Sequence, residues 1–136
     1  MENWIQDALN LWDLSDTKLN PPASISEIER AEEILKFKFP EDFKQLYLIV
    51  NGFEDLDWQS HMFCFWPLDL IIEEFENSLD KDFIGFCDFL LSSHIIGFVK
   101  NKAGIFKSYD YLENNRIADT YQEVVGMINS SADAIY

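Results

Sequence analysis

A chain of 136 residues that is 48% apolar and 15% aromatic, with twelve phenylalanines, can bury a core without disulfides or metals, which excludes a disordered polypeptide. Its 25 acidic residues against 10 basic ones leave a formal charge of −15. That excludes recognition of nucleic acid or an anionic membrane by phosphate neutralisation, which needs a cationic face, and leaves a basic protein partner or simple solubility as its use.

Residues 3–13 set Ile5, Ala8, Leu9 and Trp12 at the spacing of an amphipathic helix. Asn20–Pro21–Pro22 breaks the chain, and Ser24-Ile25-Ser26-Glu27 then matches a capping box, in which hydroxyl and carboxylate each take a backbone amide. The helix that follows presents Ile25, Ile28, Ala31 and Leu35 on one face. Glu32 falls on that same face. A carboxylate there needs donors or contact with water; the amides of the loop after Gly52 are candidate donors, water at the helix boundary is the alternative, and the role is structural in both cases.

Pro40 suits a first helical position, where a missing N–H costs nothing, and Glu41 and Asp42 then favour the positive end of the helix dipole. Phe43, Leu46, Tyr47 and Val50 follow at helical spacing. Asn51–Gly52 between apolar runs is a strong hairpin signal, but here it comes where a helix would end. We therefore read it as a helix stop, with one of the two residues left-handed.

Residues 53–60 read as an acidic loop, and His61–Trp66 as a short strand closed by Pro67. Leu68, Ile71, Ile72, Phe75 and Leu79 predict a helix over 68–80 whose other face is Glu73, Glu74, Glu76 and Asp80. Runs 83–91, 94–100 and 104–110 are β-rich and separated by turn residues, so they predict antiparallel hairpins. Asp119, with Gln122 three residues on, opens a last helix through Tyr121, Val124, Val125 and Ile128. The order predicts one α+β domain over 1–136, with helices packed on a mainly antiparallel sheet: an N-terminal helix at 3–13, a core segment at 21–53, and the sheet with its C-terminal helix at 61–134.

Signals for chemistry are weak. Cys64 and Cys87 lie in apolar runs without zinc or redox spacing, and read as buried free thiols. His61 and His94 lack partners at metal-ligand spacing. A Cys87–His94 pair could meet across a hairpin, but a cysteine in an apolar strand reads as a core residue; Ser92–Ser93–His94 with Asp88 lacks a nucleophile elbow or oxyanion turn and reads as a turn, and five glycines supply no phosphate loop. No catalytic residue, metal or cofactor is assigned. An acidic N-terminus unlike a signal peptide, and the lack of a membrane-length apolar run, point to the cytoplasm.

Charge position says more. Between Glu54 and Asp82 nine acids face one base, Lys81, which is −8 of the −15 in under a quarter of the chain. Glu54, Asp55, Asp57, Asp69, Glu73, Glu74 and Glu76, with Trp58 as an aromatic anchor, are candidate partner-binding residues. A solvated loop and helix face is the alternative.

The segment PPASISEIERAEEILKFKFPEDFKQLYLIVNGF at 21–53 resembles the SUKH superfamily, which includes fungal Smi/Knr-type cell-wall regulators and many bacterial immunity proteins. FWPLDLIIEEF at 65–75, FCDFLLSSHIIGFV at 86–99 and IADTYQEVVGMI at 117–128 are similar to further family segments, in order. Phe53 stands where a second glycine is usual and Phe39 where leucine is common. The resemblance gives Glu32, Pro40, Asn51, Gly52, Trp66 and Pro67 the part of structural motif. It implies a non-enzymatic, protein-binding domain: an immunity protein against a cognate toxin domain, a basic nuclease among the candidates, or a regulatory scaffold in cell-wall or signalling control. The oligomeric state stays open.

Overall fold

The β-prone runs of the second half pair as a meander, each strand antiparallel to the next. β1 (Phe63–Phe65), β2 (Phe83–Phe89), β3 (His94–Val99), β4 (Ile105–Tyr109) and β5 (Glu113–Ala118) lie side by side in chain order. These coordinates are a computed structural model and describe residues 2–109 and 113–136. Helices α1 (Asn3–Leu14), α2 (Ile25–Leu35), α3 (Glu41–Tyr47), α4 (Leu68–Asn77) and α5 (Tyr121–Asn129) complete the α+β domain expected from the sequence. Asp110, the last residue of the run 104–110, lies outside the described residues. β5 was not foreseen. Its sequence, ENNRIA, lacks the apolar alternation by which a strand is read.

The register explains which residues are core. Phe63 pairs with Phe89 and Phe89 with His94, while Phe65 pairs with Cys87 and Cys87 with Ile96, so these share one sheet face. A bulge between Gly85 and Cys87 lets Phe86 join them. Three helices pack aromatic rings on this face. Trp12 of α1 lies 5.3 Å from Phe65, while Phe43 of α3 and Tyr121 of α5 meet Phe86 at 6.2 and 5.1 Å. Phe43 also stacks between Phe39 and Tyr47, at 4.2 and 4.1 Å. The Trp12 indole, buried with the core, donates to Asn129 Oδ1 at 2.9 Å, so its polar atom is satisfied.

The capping box forms as its spacing predicts: Ser24 Oγ accepts from the Glu27 amide and Glu27 Oε1 from the Ser24 amide. Along α2 the buried stripe is Ile28, Ala31, Glu32 and Leu35; Ile25 is exposed, because spacing sets a side chain's direction and not how far along the axis a neighbour reaches. Leu79 is exposed for a different reason. α4 stops at Asn77, and Ser78 is extended, so helical spacing no longer governs it. At α5 the cap falls one residue later than expected: Thr120 Oγ1, not Asp119, accepts from the Glu123 amide, and Glu123 Oε1 accepts from Asp119 N.

Asn51–Gly52 makes neither a hairpin turn nor a direct helix stop. α3 ends at Tyr47 with Leu48 as its cap, and the Ile49 and Val50 amides both reach back to Leu46 O. Gly52 is left-handed, as expected, at φ +66, but it stands beyond the helix cap. A Cβ there would lie 2.5 Å from both Pro67 N and Trp66 C, so the position demands glycine for backbone contact as well as for its φ.

Candidate functional site

Three chain breaks converge at the mouth of the acidic region. Asn20 Nδ2 donates to Asn51 O and Phe53 O at 3.0 and 3.1 Å, while the Asn51 amide donates to Pro21 O at 3.2 Å. Asn51 Oδ1 in turn accepts from Leu68 N at 2.9 Å. The proline strap, a single 3-10 turn at Glu54–Leu56 and the N-terminus of α4 are thereby bound to one point.

Between them lies a groove of about 560 Å³ with Pro21, Pro22, Leu56 and Leu70 among its apolar walls. Its carboxylates are Glu27, Asp55, Asp69 and Glu73, and no lysine or arginine lines it. The ion pairs among the described residues lie elsewhere, at Lys44–Glu32 and Arg116–Asp119. The groove is therefore apolar inside, anionic around it, and uncompensated from within.

Only part of the expected surface meets here. Asp69 and Glu73 are one helical turn apart and face the same way, and Asp55 joins them from the 3-10 turn. Glu74 points to the other flank of α4, lining a small cleft with Trp66, Phe75 and Ser78. Glu76 is exposed and lines neither; its carbonyl, with that of Phe75, takes the Lys81 ammonium at the end of α4. Glu54 is exposed, and its amide donates to Lys18 O. Asp57 is occupied locally: Oδ2 accepts from Lys18 N at 2.7 Å and Oδ1 from Trp58 N at 3.0 Å. Trp58 is 39% exposed, held through its carbonyl by Thr17 Oγ1, and does not line the groove. Sequence reasoning missed Glu27. The capping box announced its place in α2, but no local signal announces that α2 begins beside α4.

Glu32 is 5% exposed and bound. Its Oε2 accepts from Phe39 N at 2.8 Å and pairs with Lys44 Nζ at 3.5 Å. The donors are thus the α2–α3 turn and α3, not the loop after Gly52, because the chain returns past the last turn of α2 at once. Pro40 caps α3 in extended conformation, one residue before the helical position expected. Trp66 is buried, with Nε1 donating to Asp88 Oδ1 at 3.2 Å and its carbonyl accepting from Tyr47 OH at 2.6 Å; Pro67 is the N-cap residue of α4.

The sheet keeps His94 apart from Asp88, while Cys87 shares the face of His94 as a buried core thiol. His94 pairs with Phe89 and Asp88 with Ile95, so imidazole and carboxylate project from opposite faces. His94 Nε2–H donates to Ile135 O at 2.7 Å, while Ser92 Oγ donates to Asp88 Oδ2 at 3.1 Å. Burial pushes the Cys64 thiol up to about 12, and burial raises Cys87 well above its ordinary value, the Asp88 charge adding to both. Both sulfurs are therefore thiols, not thiolates, at neutral pH.

The family model described as SMI1 / KNR4 family (SUKH-1) matches residues 22–130, from the second strap proline through α5. The chain belongs to the SMI1/KNR4 family. No curated protein matches it. In this SUKH-1 chain the matched span contains all four groove carboxylates, and α1 precedes it. SUKH domains in general are immunity or regulatory proteins rather than enzymes. Among the described residues no helix is long and apolar enough to cross a membrane.

Proposed function

We propose that this SUKH-1 domain is an immunity protein that binds and neutralises a cognate toxin domain through its acidic side. The observation that carries the reading is the cation-free groove in which Asp55, Asp69 and Glu73 meet Glu27 over apolar walls. A surface of that kind takes a partner's lysine or arginine: the stem lies on the prolines and leucines, and the head meets carboxylates. A basic nuclease suits it best, since a cleft built to hold phosphate attracts an anionic plug. The protein makes no bond in this role and acts by occupancy. Trp58, exposed beside the acidic turn, adds aromatic contact outside the groove, and Glu54, Asp57, Glu74 and Glu76 contribute long-range field to encounter.

The test is binding to, and rescue from, the toxin domain encoded beside the gene. Reversing Asp55, Asp69 and Glu73 to Lys should weaken affinity at least ~100-fold, given the coupling of close charge pairs, and abolish rescue from growth arrest. Reversing Glu74 and Glu76 should mainly slow association and flatten its salt dependence. Unchanged affinity in the groove variant would overturn the assignment of the surface. A neighbourhood without a toxin gene would favour the regulatory reading.

A further inference from the structure

Ten of the described residues other than glycine have left-handed backbone. Six are polar, aspartate, asparagine and serine for the most part, the ordinary residues of turns. The other four are Leu56 (φ 59), Met62 (φ 70), Leu90 (φ 46) and Leu91 (φ 53). All four are large and apolar, and they are between 40% and 76% exposed. Each position is therefore unfavourable twice: the backbone strains around a Cβ that glycine would lack, and an apolar side chain stands in water. Glycine or asparagine would make either turn more easily. Turn geometry does not account for these side chains, and the core does not include them.

The fold brings the four into sequence along one margin. Leu56 walls the acidic groove. Met62 follows on the same loop, past the exposed Trp58, and its carbonyl accepts from Leu90 N at 3.1 Å, which sets the loop against the β2–β3 turn. Charge then selects what can cover this margin. Residues 45–80 and 82–99, which carry all four, contain no lysine or arginine. Glu54, Asp55 and Asp57 lie on the loop, and Lys18, whose backbone meets Glu54 N and Asp57 Oδ2, is a single base set beside three acids. A second copy of the chain would bring this negative margin against its own like, which opposes a symmetric dimer. A partner whose apolar recess is rimmed by lysine or arginine matches it in both respects.

We propose that Met62, Leu90 and Leu91 are the apolar anchor of the toxin interface, seated in a basic-rimmed recess of the toxin domain while the groove holds its cations. The inference rests on the toxin-binding reading above and divides the labour within it. Carboxylates around the groove speed encounter and respond to salt. The strained leucines and methionine lose their exposure on binding, which slows dissociation and does not respond to salt screening.

The experiment measures binding kinetics of the full chain with the toxin domain encoded beside the gene, at low and high salt, for the parent and a Leu90→Asn, Leu91→Asn double variant. The variant should melt at the same or a higher temperature, since asparagine tolerates left-handed backbone. Its affinity should fall at least ~30-fold through faster dissociation, as two leucines lose their burial. Its salt dependence should match the parent's, whereas the groove reversals flatten it. Met62→Asn should act in the same direction. A parent that binds while the double variant binds as tightly overturns the anchor and leaves the immunity reading standing; a parent that does not bind overturns both. A double variant that melts several degrees lower gives the leucines a structural role and overturns the proposal. A dimeric parent beside a monomeric double variant in sedimentation makes the occupant a second copy and overturns it likewise.

Discussion

Asn51 caps a helix to which it does not belong: its Oδ1 accepts from the amide of Leu68, the first residue of α4, at 2.9 Å. The residue at the cap position itself is Pro67, whose side chain has no acceptor. The cap comes instead from a segment that Asn20 and Pro21 hold in place, so one amide side chain ties the N-terminus of the groove's acidic helix to that segment. Asn51→Ala should cost about 1–2 kcal/mol, the usual worth of a side-chain cap, and Asn51→Asp should lose much less. Thermal unfolding of the two variants measures it; equal melting temperatures for Asn51→Ala and the parent would refute the capping role.

Glu32 gives a second stability prediction. Removing its oxygens strands the Phe39 amide inside the protein, at a cost of about 1–3 kcal/mol. Glu32→Leu should therefore lower the urea midpoint markedly. Glu32→Gln keeps an acceptor for Phe39 and gives up only the Lys44 attraction, which is partly screened because Lys44 is 30% exposed. The order parent, Gln, Leu is the expected outcome.

His94 makes stability depend on pH. Burial, among the rings of Phe63, Phe89 and Tyr109, lowers its pKa below 6.5; Lys107 lowers it further, while the Ile135 carbonyl and Asp88 pull the other way. As pH falls through about 6.5 the unfolded imidazole takes a proton that the folded one refuses, so the unfolded state gains. The stability contributed by neutral His94 is full above 6.5 and is lost from there down to the folded pKa. Denaturation of the parent and of His94→Gln between pH 7.5 and 5.5 should show a steeper acid loss in the parent; parallel curves would count against it.

The thiols should be inert. Cys64, held near 12, and Cys87, raised by complete burial, present almost no thiolate at pH 8. Iodoacetamide should modify the native protein only slowly and the urea-unfolded protein fast, with two alkylations per chain by mass. Rapid labelling of one native cysteine would reopen a nucleophilic role.

Much of this molecule was legible beforehand because its signals are local. The α2 capping box, the acid-led start of α3 and the apolar spacings of α1 and α5 each involve groups within a turn or two of one another, and there geometry follows from spacing. The expectation failed where a partner lay far along the chain. Phe39, rather than the loop after Gly52, satisfies Glu32; β5 is a strand because β4 offers it a ladder, not because ENNRIA prefers one. The expected acidic surface divided along α4, since a helix carrying Asp69, Glu73, Glu74 and Glu76 cannot turn all four to the same side.

Composition and spacing alone determined that this chain is anionic, has an aromatic core, and packs helices on a mainly antiparallel sheet, because burial of apolar side chains and short-range hydrogen bonds depend on near neighbours in sequence. Tertiary structure decided which carboxylates share a groove, which are consumed as staples, and which exposed apolar side chains stand beside them. Those facts depend on segments tens of residues apart arriving at one place, where Asn51 meets Leu68 and Met62 meets Leu90.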